Sequence, residues 1–537
     1  MSVRGESVSC RPRVSCRAAN RRSSPYRPLF ALLVFAGLVI TGPGWAQAQR
    51  DLLKTPYIQR LPGVEPFFAE RGHLIAPENR SRSDSKLVQV SYARLPSTAK
   101  QPGTPIFYLS GGPGDAIVGD FVNNDFDGDF WDPFLAMIQD FRSVADVILV
   151  GQRGAGLSVP YMGCPNQLEL VSPRDYFDAQ KLLEARRRYA RECRTAWRTA
   201  GRDLDGYTAF ELADDVNDLR LALGFDKVVL TGGSFGSQMS FTLVRRYPEM
   251  IDKLVLRGLE DTADTLDQPS GYLDAMRLIL ADAEKDPAIA ARIPEGGILN
   301  AIEVLIKTLE AKPMDIDGMS VPLTADLVRW LWRQDPGGWR LGERMGPHLW
   351  PANLLPMFHG DFSSVARAVN ALSKRAASFS DNGPVAMSSA VDCSLSPAYS
   401  VWQATLARVP AFFLFGYPYL SLISVCDEWT TRRAGKDFLQ RIESDIPALF
   451  FQGTTDMATP FTSNAEQIVP GYSNAYLVVV ERSGHNPITD LYLERPDVVR
   501  PLILNFLREK NLAAGLKRVE LPPVRFDVPD PPSASSQ

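Results

Sequence analysis

Histidine is scarce in this chain: 537 residues contain four, His73, His348, His359 and His485. A reaction that needs an imidazole base has few places to find one. Cysteine is nearly as rare, at six, and no spacing among the six matches a zinc site. There is no basic stripe, and the formal charge is −4, which argues against a nucleic-acid partner or an anionic membrane. The apolar run Leu29–Ile40 is too short to cross a bilayer as a helix, which takes about 20 residues. The glycines at 111–114 have no Lys-Ser/Thr after them, which excludes a P-loop. Asp125-Phe126-Asp127-Gly128-Asp129 lacks the downstream glutamate of a calcium loop and reads as a solvated acidic loop. No repeat of solenoid period occurs. Neither a metal nor a cofactor is expected.

What is present starts with a leader. Residues 1–28 carry seven arginines against Glu6, followed by the apolar run, Thr41-Gly42-Pro43-Gly44 and Ala46-Gln47-Ala48. This is the order of a secretory signal peptide, so 1–48 is expected to be removed, leaving no stable membrane insertion and a periplasmic or extracellular protein. Arg21-Arg22 leaves Sec and twin-arginine export both open. Loss of seven arginines and one glutamate takes the charge from −4 to −10. Four cysteines remain, Cys164, Cys193, Cys393 and Cys426. Outside the cytoplasm they suggest two disulfides in one of three pairings, the sequential one favoured because each pair brackets a local segment.

With 45% hydrophobic residues the chain can bury a large core. Strand-like runs at 87–95, 105–109, 145–150, 227–231, 253–256, 448–451 and 475–480 alternate with helical patterns, as in an α/β protein with a mainly parallel sheet. Between about Asp261 and Lys436 helical periodicity replaces the strands. The expected organisation is a first core part at 49–260, a helical cap insertion at 261–436, a second core part at 437–515 and a Pro/Ser-rich tail at 516–537. Trp330-Leu331-Trp332 and the aromatics of 412–419 read as core before pocket lining.

The chemistry concentrates at Gly232-Gly233-Ser234-Phe235-Gly236, directly after the strand VVLT and before a helical pattern. That is a G-x-S-x-G nucleophile elbow in its strand–turn–helix setting, with Ser234 as nucleophile and the Phe235 amide facing the oxyanion. Such folds use the order serine, acid, histidine. His73 precedes the serine, and His348 and His359 fall in the helical insertion. His485, in a loop after a late strand, is the remaining base. Asp456, after ALFFQ, is the acid; Asp445 precedes that strand and lies at the sheet's opposite edge. Gly111 and Gly112 follow the strand PIFYL and supply the second oxyanion amide.

These motifs together resemble the proline iminopeptidases. Ser110-Gly111-Gly112-Pro113-Gly114 is similar to their H-G-G-P-G loop with serine for histidine, and residues 151–158, GQRGAGLS, to their D-Q-R-G-x-G-x-S with glycine for aspartate. Residues 233–237 and Arg246-Tyr247-Pro248 agree as well. The exported branch with tripeptidyl aminopeptidases is more similar still. Residues 72–80, GHLIAPENR, resemble its opening motif, with Arg71 at a cysteine position, and Cys164-Pro165 and Cys426-Asp427-Glu428-Trp429 resemble its cysteine segments. The resemblance spans about 70–510. It implies an α/β-hydrolase releasing one or a few residues from free peptide N-termini, with an anionic group for the α-ammonium, for which Glu260 is the candidate. An esterase or amidase of small acyl substrates is the alternative, because the fold does not decide the substrate.

Overall fold

Short apolar runs without a polar gap build the centre of the sheet. Strands β4 (Ile106–Leu109), β5 (Val147–Val150), β6 (Val228–Gly233) and β8 (Ala448–Gly453) are buried along their whole length, as strands covered on both faces must be. The computed structural model describes residues 51–126, 131–164, 178–262, 269–329, 331, 351, 354–367, 369–370, 385–395, 425–429, 431–509, 514–524 and 526–527. The leader 1–48, His348, Trp330, Trp332, the aromatics of 412–419 and Asp127-Gly128-Asp129 lie outside the described residues.

Ten strands form one sheet in the order β1-β2-β3-β5-β4-β6-β7-β8-β9-β10. β1 (Leu52–Gln59), β2 (Phe67–Pro77) and β3 (Leu87–Leu95) run antiparallel, and β3 meets β5 antiparallel. From β5 onward, through β7 (Ile251–Arg257) and β9 (Ala475–Glu481) to β10 (Gly515–Glu520), all pairs are parallel. This is the α/β-hydrolase fold. Alternate side chains of each strand enter opposite cores. Leu230 and Phe450 join α4 (Ala209–Ala222) and α5 (Phe235–Arg246) on one face. Val229 and Phe451 join α2 (Trp131–Arg142), α9 (Pro487–Glu494) and α10 (Pro496–Arg508) on the other.

Among the described residues between β7 and β8 there are helices, including α6 (Pro269–Ala283), α7 (Ile298–Ala311) and α8 (Val385–Leu395), and no sheet strand. Met276, Ile302, Ile306 and Leu327 form a separate apolar cluster there, which also receives Met457, the neighbour of Asp456.

Three strands differ from the sequence expectation. β1 and β2 carry no clear alternation of apolar residues: β1 is largely exposed, and both are interrupted, by Pro56 and Gly72. Residues 516–520, assigned to the tail from sequence, belong to the sheet instead. In β10 only Val519 is buried, so side-chain periodicity was silent, and pairing with β9 from Gly515↔Tyr476 to Glu520↔Glu481 defines the strand.

Candidate active site

Parallel strands place their C-terminal ends on one side of the sheet, where open α/β folds bind ligands. Ser234 stands at that end of β6, between strand and α5, with φ 56° and ψ −132°. A positive φ at a non-glycine residue is strained and persists only where the surroundings impose it. Here they do. A Cβ on Gly233 would meet Arg257 Nη1 at 2.6 Å, and one on Gly236 would collide with the Leu109 carbonyl of β4. The Ser234 amide donates to Gly258 O at 2.9 Å, and Ser237 Oγ donates to Ser234 O at 2.7 Å.

Asp456 is fully buried after β8, and His485 sits half-buried in the loop after β9. Nδ1 of His485 lies 3.1 Å from both Asp456 oxygens. The carboxylate accepts further bonds from the amides of Ala458 and Thr459, each 2.9 Å, from Thr459 Oγ1 at 2.7 Å and from Gln452 Nε2 at 3.0 Å. Burial alone would push the Asp456 carboxyl up; the imidazole and the Thr459 donors outweigh it and hold the group below the ordinary carboxylate value. The His485 ring lies against Gly258, where an added Cβ would be 3.1 Å from Cε1. Gly258 thus touches both the Ser234 amide and the imidazole.

The loop Ser110–Gly114 after β4 is held by Gln152. Its Nε2 donates to Gly111 O at 2.8 Å, and its Oε1 accepts from the Gly114 amide at 2.8 Å. Ser388 of α8 donates to Pro113 O at 2.8 Å, so the helical region also grips this loop. Arg257, almost fully buried, lies over Gly233 and donates to His485 O at 3.2 Å. Gln152, Arg257 and Thr459 join the predicted residues at this site. Gln152 was visible within the GQRG motif; the other two carried no signal, because only folding brings them to the serine and histidine loops.

Glu260 follows β7, half-buried, its amide donating to Ser237 Oγ at 2.9 Å. Cys164–Cys193 and Cys393–Cys426 are disulfides, the sequential pairing. His73 and His359 turn elsewhere, to the carbonyls of Leu157 at 2.9 Å and Arg292 at 2.7 Å. The remaining motif residues form a charged network instead. Fully buried Arg153 donates to Asp215 at 2.6 Å and Glu78 O at 2.6 Å, while Arg80 spans Glu211, Asp215 and Asp218. Among the described residues no cluster of His, Cys, Asp and Glu could hold a metal, and no helix is long and apolar enough to cross a membrane.

Comparison with known proteins agrees with this fold. Residues 104–288 match the α/β hydrolase fold family and residues 412–514 match the TAP-like protein family. The chain is 27% identical to a proline iminopeptidase of Xylella fastidiosa, over 29% of this chain and 33% of that protein. It is 23% identical to the serine protease Hip1 of Mycobacterium tuberculosis, over 44% and 48%. It is 26% identical to the YuaR protein of Escherichia coli, over 35% and 34%. The matched stretches thus span about a third to a half of these relatives. Sheet order and family matches converge on the α/β-hydrolase fold, with similarity to the TAP-like family toward the C-terminus and to peptidases among known proteins.

Proposed function

We propose that the chain is an exported serine aminopeptidase working through Ser234, His485 and Asp456. The observation that carries this reading is the convergence on Gly258: its carbonyl accepts the Ser234 amide, and its α-carbon abuts the imidazole held by buried Asp456. A serine in a strained elbow, a neighbouring base and a carboxylate orienting that base are the parts of nucleophilic acyl transfer. Ser234 Oγ attacks the substrate carbonyl while His485 takes its proton. Amides of Phe235 and the Gly111–Gly112 loop receive the oxyanion. The proton then passes from the imidazolium to the leaving amine, and water, activated by the same histidine, hydrolyses the acyl-enzyme. Peptidases among the relatives favour an amide substrate with a free N-terminus, and two disulfides suit an oxidising compartment. Ser388 of α8 holds the Ser110–Gly114 loop, which suits a helical region beside the serine, and Glu260, two residues after Gly258, is placed to take part in binding the substrate.

The test is hydrolysis of matched aminoacyl-, dipeptidyl- and tripeptidyl-arylamides, each free or acetylated at the N-terminus, beside short acyl esters. Ser234→Ala is the blank. Amide cleavage that requires the free amine supports the reading. Ester cleavage blind to the N-terminus would make the protein an esterase instead.

A further inference from the structure

The loop that carries Gly111 and Gly112 also carries an acid that the catalytic mechanism does not use. Asp115 follows Gly114 directly. A Cβ built on Gly111 would lie 3.1 Å from Asp115 Oδ2 and 3.7 Å from Ser234 Cβ. The carboxylate and the nucleophile are therefore separated by about the breadth of one small side chain. Asp115 is solvent-accessible, unlike Asp456. Lost hydration pushes its carboxyl above the ordinary value, with Arg257, the Gly111 amide and His485 pulling the other way. Arg257 also offsets negative charge that would otherwise oppose an oxyanion at the neighbouring amides.

We propose that Asp115 is the anchor for the substrate's α-ammonium, and that its place beside Ser234 sets the enzyme to release single N-terminal residues. This rests on the aminopeptidase reading above and sharpens it. In an aminoacyl substrate the α-nitrogen is two bonds, roughly 2.5 Å, from the attacked carbonyl carbon. Each further residue before the scissile bond carries the nitrogen up to about 3.5 Å farther away. A carboxylate next to the nucleophile reaches the first position; the ammonium of a bound tripeptidyl group would lie roughly 7 Å beyond it. Glu260 and Asp261 are further acids near the elbow, but each is engaged by a neighbour of its own, and their backbones are tied to Ser237 and Gln238.

The experiment compares kcat/KM for an aminoacyl-arylamide, its N-acetyl form and a tripeptidyl-arylamide in the full chain and in Asp115→Asn. The wild type is expected to prefer the free aminoacyl substrate over both others. In Asp115→Asn the free-to-acetyl ratio should fall roughly 10- to 100-fold, mainly through KM, as expected for loss of a charge-assisted bond. A second readout needs no turnover: Ser234→Ala should bind an amino-acid amide more tightly than its N-acetyl form, and Ser234→Ala with Asp115→Asn should not. A high wild-type ratio kept in Asp115→Asn overturns the Asp115 assignment alone. Equal loss on free and acetylated substrates overturns it too, since Asp115 would then be positioning the oxyanion loop. A wild-type ratio near one defeats the aminopeptidase reading and this proposal together. A wild-type preference for the tripeptidyl substrate defeats single-residue release.

Discussion

Two buried polar regions of this molecule look alike and do opposite things. Around Arg153, the charges close on one another. Arg153 has no exposed side-chain surface, Asp215 is 3% exposed, and Arg80 ties the pair to Glu211 and Asp218. Burial would raise the Asp215 carboxyl, but the two guanidiniums hold it below its ordinary value. Around Asp456 the carboxylate is equally buried and equally saturated with donors, yet its partner His485 keeps 13% of its side chain exposed. One cluster closes on itself through ion pairs, although Arg80 and Asp218 each keep 20% of their side chain exposed, and fastens the ends of β2 and β5 to α4. The other ends in an imidazole with one edge open. Both regions come from conspicuous sequence motifs, so conspicuousness alone does not separate chemistry from scaffold. The chemistry of the group at the open end does: a guanidinium stays charged, whereas an imidazole can take up a proton and give it back.

The sharpest way to break that contrast is to remove groups from each side. Ser234→Ala or His485→Ala should lower kcat by about 10⁴-fold or more with little change in the denaturation midpoint; substantial residual turnover in purified mutant would end the triad assignment. Asp215→Ala strands the buried Arg153 guanidinium and takes one of three carboxylates from Arg80; it should cost about 3–5 kcal/mol in urea unfolding, while the protein that remains folded keeps its KM. A large kcat defect at full stability would move this network into the catalytic machinery. Gln152→Leu lies between the two cases, because it frees the oxyanion loop without exposing a charge. Here kcat should fall roughly 10- to 100-fold, as for a displaced catalytic group, with KM much less affected; the measurement is steady-state kinetics beside a melting curve.

The smallest expected effect is one of pH. Asp120, on α1 (Ile117–Asn123), has its carboxyl pushed up to about 6 by burial and by the charges of Asp125 and Asp115. An acid with a raised folded pKa destabilises the protein when ionised, so the penalty is present above about pH 6 and is relieved as pH falls toward 4. Asp120→Asn should therefore stabilise modestly at pH 8 and hardly at all at pH 4, read from melting temperatures across that range. Asp456 behaves in the opposite sense. Its lowered pKa contributes stability above the ordinary carboxylate value near 3.9, and this is lost only as pH falls below that.

Of the ten described strands, six were legible as runs of mostly buried apolar residues and β3 by its alternation, and Ser234 and His485 were legible for local reasons: glycines forced by a tight elbow, and a scarcity of other histidines. β1 and β10 were not, since an edge strand that faces solvent needs no apolar alternation and owes its place to backbone pairing; nor was β2, paired on both sides but broken in pattern by Glu70-Arg71-Gly72. Glu260 was singled out by its position after β7 alone, whereas Asp115, in an unremarkable stretch after Pro113-Gly114, gained its interest only when Gly111 and Ser234 came alongside.

Sequence by itself determined the local grammar: which segments are apolar enough to be central strands, where the chain must turn through glycine, and which residues are chemically able to be nucleophile, base and acid. Tertiary structure alone decided which side chains meet. Gln152 clasping the Ser110–Gly114 loop, Arg257 lying across Gly233 and Thr459 standing beside the His485 imidazole are contacts between segments that belong to different strands. Their energies depend on distance and burial, and neither is written in the order of the residues.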